Sequence, residues 1–140
     1  MQYIDIIQKF NAPQQEIFDF LSNHNNLKSI FMIDVKRIKD AEGANKNGLG
    51  SVRSLGIGVG LIEETVTVFE EPNLIEYKIS NNIPVKYHLG RMEFSTENNQ
   101  TVLHYTIDLE SKIAFADPIL KFVLETSIRN GLSKLASKYK

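Results

Sequence analysis

The chain has 140 residues, 16 of them basic and 17 acidic, for a formal net charge of −1. That length suits one domain spanning residues 1–140, and so even a charge balance gives no electrostatic reason to expect nucleic acid or an anionic membrane as partner. Cysteine is absent, which excludes disulfides, thiolate metal sites and cysteine nucleophiles, and with no basic-then-apolar leader or membrane-length apolar run the expectation is a cytoplasmic protein without stable membrane insertion.

Residues 2–10 mix Ile4, Ile6 and Phe10 with Asp5, Gln8 and Lys9 and read as a strand. Pro13 then suits the first turn of a short helix over 13–21, where a missing N–H needs no partner, and Ile17, Phe18 and Leu21 follow at helical spacing. A second short helix over about 24–30 uses Leu27, Ile30 and Phe31. From about 34 to 112 the period changes to two. Asn47-Gly48 reads as a hairpin turn between strands near 34–42 and 49–56. Gly56, Gly58 and Gly60, then Glu71-Pro72-Asn73, Asn81-Asn82-Ile83-Pro84 and Asn98-Asn99, punctuate strands near 61–70, 74–80, 86–96 and 101–112. Such short connections join antiparallel neighbours.

Residues 117–139 return to helical spacing, with Leu120, Val123, Leu124, Ile128, Leu132 and Leu135 in one stripe. Asp117 is the expected N-cap. Gly131 either lets the helix approach the sheet closely or sits on its surface. A helix of this length, about 33 Å, matches a ten-residue strand of about 33 Å and can lie along the sheet.

The turns set a register that can be tested. Centring the last hairpin on Asn98-Asn99 pairs Phe94 with Leu103, Met92 with Tyr105, Gly90 with Ile107 and His88 with Leu109. The turn at Ile83 pairs Ile79 with His88, Tyr77 with Gly90 and Ile75 with Met92. The turn at Glu71-Pro72 pairs Val68 with Ile75, Val66 with Tyr77 and Glu64 with Ile79. One face is then almost wholly apolar, and the other carries Glu63, Thr65, Glu76, Lys78, Arg91, Glu93, His104 and Asp108. That is a sheet with one wet and one covered face. The fold expected is α+β: a helix-grip of six to seven curved antiparallel strands around a long C-terminal helix, with two short helices after the first strand. Glu64 and His88 are polar exceptions on the covered face, roughly 10 Å apart across two strand spacings. A carboxylate sealed in a dry core is costly, so they point either into an internal cavity or to its rim.

With these elements in place, the chain resembles the START-like or SRPBCC superfamily, the birch-pollen-allergen fold, and within it the polyketide cyclase/dehydrase-like branch. The resemblance rests on Phe10-Asn11-Ala12-Pro13 before Glu16-Ile17-Phe18, on Gly48-Leu49-Gly50-Ser51-Val52-Arg53, on Ile62-Glu63-Glu64-Thr65-Val66, and on Glu71-Pro72-Asn73-Leu74-Ile75-Glu76-Tyr77. It implies a cavity for lipids, sterols, polyketides, quinones or hormones, in proteins that are passive carriers, cyclases or dehydratases.

The candidate ligand-binding residues are Arg53, Glu64, Val66, Tyr77, Ile79, His88, Met92, Tyr105, Leu124 and Ile128. Arg53 faces Glu63 on the wet side if the turn centres on Gly58, and Glu64 on the covered side if a bulge intervenes. His88 or Glu64 is the candidate proton carrier, Tyr supplies an apolar ring with a hydroxyl handle, and Met adapts to irregular shapes. His104 is expected to pair with Glu93 on the surface, and His24, in an Asn-rich stretch, to be solvated. The three histidines lack metal-ligand spacing, and no cofactor is implied. The glycine run precedes a strand and not a helix, which argues for turn or bulge glycines over a phosphate loop. Three functions stay open: a carrier or sequestering protein for a small apolar or amphiphilic ligand, a cyclase or dehydratase acting on one, and a protein-interaction module. The oligomeric state expected is a monomer or weak homodimer.

Overall fold

The computed structural model describes residues 2–31, 33–57, 60–113 and 117–139. The elements run β1 (Gln2–Phe10), α1 (Gln14–Ser22), α2 (His24–Phe31), β2 (Asp34–Lys39), β3 (Val52–Ile57), β4 (Gly60–Glu70), β5 (Leu74–Ile79), β6 (Val85–Glu97), β7 (Gln100–Ser111) and α3 (Asp117–Ala136). The seven strands form one antiparallel sheet in the order β1-β7-β6-β5-β4-β3-β2. This is the expected helix-grip architecture, a curved sheet gripping a long C-terminal helix.

Alternation drives the inner face. Ile4, Ile6 and Phe10 of β1, Met92 and Phe94 of β6, and Leu103, Tyr105, Ile107 and Leu109 of β7 are buried with Ile128, Leu132 and Leu135 of α3. Phe18 of α1 closes one end, edge-on to Phe69 and Phe94 with ring centroids 5.2 and 5.1 Å away. The β6–β7 register is the one the sequence predicts, from Phe94–Leu103 to His88–Leu109. Asn98 and Asn99 both adopt positive φ, as a two-residue hairpin turn of this hand requires. Tyr77–Gly90 and Ile75–Met92 also pair as expected, as do Glu64–Ile79 and Val66–Tyr77.

Four local expectations are corrected. A bulge between Val66 and Val68 shifts the β4–β5 register, so Phe69 and not Val68 lies opposite Ile75; the extra residue carries the larger side chain inward to meet Phe18. Asn47-Gly48 is not a hairpin turn: it lies in the long connection between Lys39 and Val52, which folds on itself through Ala41 N–H to Lys46 O and Gly48 N–H to Asn45 O. Asp117 is buried and accepts hydrogen bonds from Ser111 N–H (3.0 Å) and Ser111 Oγ (2.6 Å), tying α3 to the end of β7. Gly131 approaches α2 instead of the sheet: a Cβ there would lie 2.5 Å from Ile30 Cγ2 and 2.7 Å from Phe31 Cδ1.

α3 also departs from its expected stripe. Its C-terminal half buries Ile128, Leu132 and Leu135, whereas Ile119, Leu120, Phe122 and Val123 are exposed. The helix packs on β1, β7 and α2, with its burial concentrated in the C-terminal half.

Candidate functional site

Antiparallel pairing builds a row of polar side chains across the inner face. Arg37 lies opposite Arg53, Arg53 opposite Glu64, and Glu64 opposite Ile79. Directly paired residues project to the same side of a sheet, so Arg53 and Glu64 share the covered face. No bulge is needed among the described residues: β3 and β4 pair without a register shift from Val52–Thr65 to Ile57–Gly60. The reversal expected on Gly58 falls on positions outside the described residues. The alternative pairing of Arg53 with Glu63 is thereby overturned.

Arg53 and Glu64 form an enclosed ion pair, Nε to Oε1 at 2.8 Å, with 6% and 10% of their side chains exposed. The Arg53 guanidinium also lies over the Tyr77 ring, 4.5 Å from its centroid, an attraction between cation and ring quadrupole that desolvation strengthens. Burial pushes the Arg53 pKa down, but Glu64 and the two tyrosines more than offset this and the net shift is upward. Tyr77 and Tyr105 meet hydroxyl to hydroxyl. Burial raises both, Tyr77 well above its usual value and Tyr105 to about 12, so both remain neutral phenols. Tyr77 stands over Gly90, where an added Cβ would come within 2.1 Å of the ring; the glycine is what lets the ring lie flat there.

His88 occupies the far side of Glu64, its Nε2 3.9 Å from Oε2. Its Nδ1 accepts the Ile79 N–H at 3.2 Å. The neutral ring therefore carries its proton on Nε2, facing the carboxylate. Burial lowers its pKa, Glu64 opposes the shift and Arg53 adds to it.

The other candidates divide. Val66, directly opposite Tyr77, is buried, and so is Met92, directly opposite Tyr105. Ile128 is buried and Leu124 partly so on α3, and Ile79 contributes its main-chain N–H to His88. His104 does lie opposite Glu93, but its Nε2 bonds Asp5 Oδ1 on β1 at 2.7 Å, and Glu93 goes to Arg91.

His24 overturns the expectation that it is solvated. Only 1% of it is exposed, and its Nδ1 is enclosed without a hydrogen-bond partner. Burial, with the charges of Arg53 and Arg37, lowers its pKa to about 3. Its neighbourhood in sequence is polar, yet His24, Leu27 and Ile30 are the buried residues of α2. Helical spacing from Leu27 and Ile30 was the signal that could have found it. Two surface clefts, of about 660 and 690 Å³, flank the β2–β3 connection. Arg37 and Asn47 line the first, and neither cleft is lined by Arg53, Glu64 or His88.

Among the described residues no cluster of three or more metal-ligating side chains occurs, and no helix is long and apolar enough to cross a membrane.

A family model described as polyketide cyclase / dehydrase and lipid transport matches residues 5–140. The chain belongs to this family. Solved structures share the fold at low sequence identity. A START superfamily protein from Mycobacterium smegmatis superposes with TM-score 0.78 at 13% identity, covering 97% of each chain. The dimeric Aha1 from Colwellia psychrerythraea gives 0.72 at 19% identity, covering 97% of this chain and 94% of its own. Norcoclaurine synthase from Thalictrum flavum, solved with dopamine and hydroxybenzaldehyde, gives 0.70 at 14% identity over 99% of this chain and 88% of its own. Comparison with curated proteins gives no match. Family membership carries a fold suited to hydrophobic ligands.

Proposed function

We propose that the protein binds a small, mostly apolar ligand between its sheet and α3, as a carrier or sequestering protein, with Arg53, Glu64, His88 and the tyrosine pair orienting the ligand's polar end. The observation that carries this reading is the Arg53–Glu64 pair on an otherwise apolar inner face. Enclosed ion pairs contribute little to stability, so a charged clamp in such a place is better accounted for by recognition than by folding. Among the described residues the guanidinium donates to Glu64 through Nε alone, which leaves its terminal amino groups to hold a ligand oxygen. Apolar burial supplies the affinity, about 25 cal/mol per Å².

Catalysis fits the geometry less well. His88 has no free lone pair, because Nδ1 is taken by Ile79 N–H, and Glu64 has Oε1 engaged by Arg53 and Oε2 turned to the His88 ring. A general base must reach its proton with an unoccupied acceptor. The exposed Ile119, Phe122 and Val123 on α3 favour a second reading, a protein-contacting module; association that disappears in Phe122→Ser on light scattering supports that reading, and a strict monomer at high concentration removes it.

Mass spectrometry of the protein purified under native conditions, with a thermal-shift panel of lipids, aromatic polyketides and quinones, tests the proposal. A ligand at 100 times its Kd stabilises by about 2.7 kcal/mol, a shift of several degrees for a chain of this size. A flat panel together with an empty protein overturns it.

A further inference from the structure

The polar row does not end at Arg53. Arg37 lies opposite Arg53 on the same face, and its guanidinium is held by Asn47 Oδ1 at 2.8 Å and Asp40 at 2.7 Å. The same Asn47 oxygen is 3.4 Å from the backbone nitrogen of His24, the first residue of α2, and α2 packs on β2. These contacts put the His24 imidazole at the Arg37 end of the row, opposite in position to His88 at the other end. Among the described residues, His24 Nδ1 is the one enclosed side-chain nitrogen or oxygen without a hydrogen-bond partner. An unmade hydrogen bond on a buried polar atom is costly, so such an atom calls for a partner that the described residues do not supply.

The chemistry of that partner follows from counting what the row leaves unspent. Among the described residues Arg53 uses one of its five N–H donors, on Glu64. The neutral His24 ring carries one N–H and one bare nitrogen, and of the two Nδ1 has no hydrogen-bond partner among the described residues. His88 presents Nε2–H. The two phenols have two protons and share one bond, which leaves one O–H to donate. The acceptors left over are Glu64 Oε2, already facing His88, the remaining lone pairs of the two phenols, and the bare nitrogen of His24. Two guanidinium charges, Arg53 and Arg37, are near enough to His24 to disfavour its protonation. A row whose cationic end keeps the unspent guanidinium donors of Arg53 is matched by an anionic group with several acceptor lone pairs.

We propose that His24 contacts the ligand, and that with Arg53 it receives an acidic headgroup, a carboxylate or an ionised phenol, on an apolar body. This rests on the ligand-binding reading above and narrows its ligand class. The bound anion accepts from the terminal amino groups of Arg53 and from the His24 N–H, while His88 and Glu64 close the other side.

The test compares matched probes on the full chain by calorimetry: dodecanoate against dodecan-1-ol, and 2-naphthoate against 2-naphthalenemethanol. In the wild type each acid is expected to bind at least ten times more tightly than its alcohol. His24→Leu removes that preference by weakening acid binding, with the variant's fold checked by circular dichroism and its unfolding midpoint. The wild type supplies a second readout free of any folding defect: on adding either acid, the His24 ring signals in NMR shift and its pKa rises from its low value, and the alcohols leave it in place. Equal affinity for acid and alcohol in the wild type, or an acid preference unchanged in His24→Leu with a silent His24 ring, overturns the acidic-headgroup inference while the binding reading stands. If neither acids nor alcohols bind, the internal-ligand reading falls and this inference falls with it.

Discussion

The sheet carries two arginine–glutamate arrangements on opposite faces. On the inner face Arg53 meets Glu64 with about a twentieth of its side chain exposed; on the outer face Arg91 reaches both Glu76 and Glu93 with 40% of its side chain in solvent. Residue types and cross-strand geometry are alike, and the surroundings differ. Water screens the outer charges, so their mutual attraction is nearly cancelled by the hydration they give up. The inner charges have lost their hydration and depend on each other, so removing one leaves the other stranded. An ion pair's importance here is set by which way the strand's alternation turns it, and not by its length.

The sharpest way to break the comparison is Glu64→Ala. It leaves a guanidinium enclosed without its counter-charge and is expected to destabilise by about 3–5 kcal/mol in urea unfolding. The paired replacement Arg53→Met with Glu64→Leu is expected to recover most of that stability while abolishing ligand-induced thermal shifts, which separates the pair's binding role from its folding role. Gly90→Ala comes next. It drives a methyl into the Tyr77 ring, costs about 1–3 kcal/mol by overpacking, and displaces the ring from beneath Arg53, so the fluorescence-monitored unfolding midpoint and ligand affinity fall together.

Acid provides a graded test. His24 binds its proton at about 3 when folded and at 6.5 as a free side chain. Between these values the unfolded chain holds more protons, so stability rises with pH across the window and is flat above 6.5. Each unit of acidification below 6.5 costs up to about 1.4 kcal/mol, and His24→Leu is expected to remove that part of the slope in unfolding curves taken from pH 7 to 4. The smallest effect belongs to the outer face: Arg91→Ala is expected to change stability by less than about 1 kcal/mol, with even that difference fading in high salt.

The sheet was legible because its turns and its alternation constrain each other. Asn98-Asn99 fixes β6 against β7, and a slip of one residue would turn Ile107 and Leu109 to water. Arg53 was not legible, because Gly56, Gly58 and Gly60 allow the reversal at more than one centre, and half a residue of difference decides which face an alternate side chain takes. The Val66–Val68 bulge was hidden for a related reason: Val68 and Phe69 are both good strand residues, and only the fit of Phe69 against Phe18 selects the longer path. His24 was missed because its flanking asparagines suggest solvent, whereas burial on α2 is decided by the next turn of helix. α3 was over-read in the opposite sense: a continuous apolar stripe says nothing about where the sheet beneath it stops.

One bond in the site also belongs to the scaffold. The main-chain pairing of β5 with β6 runs only as far as Tyr77 and Gly90, and the next amide, that of Ile79, is satisfied by the imidazole of His88. The same ring thus acts as a stitch between two strands and as part of the polar row. A substitution that deletes it loosens the seam as well as the polar row, so a loss of the proposed ligand binding in His88→Ala has two origins. Replacement by asparagine, whose side-chain oxygen can accept from the same amide, is the exchange that keeps the stitch and removes the titrating ring.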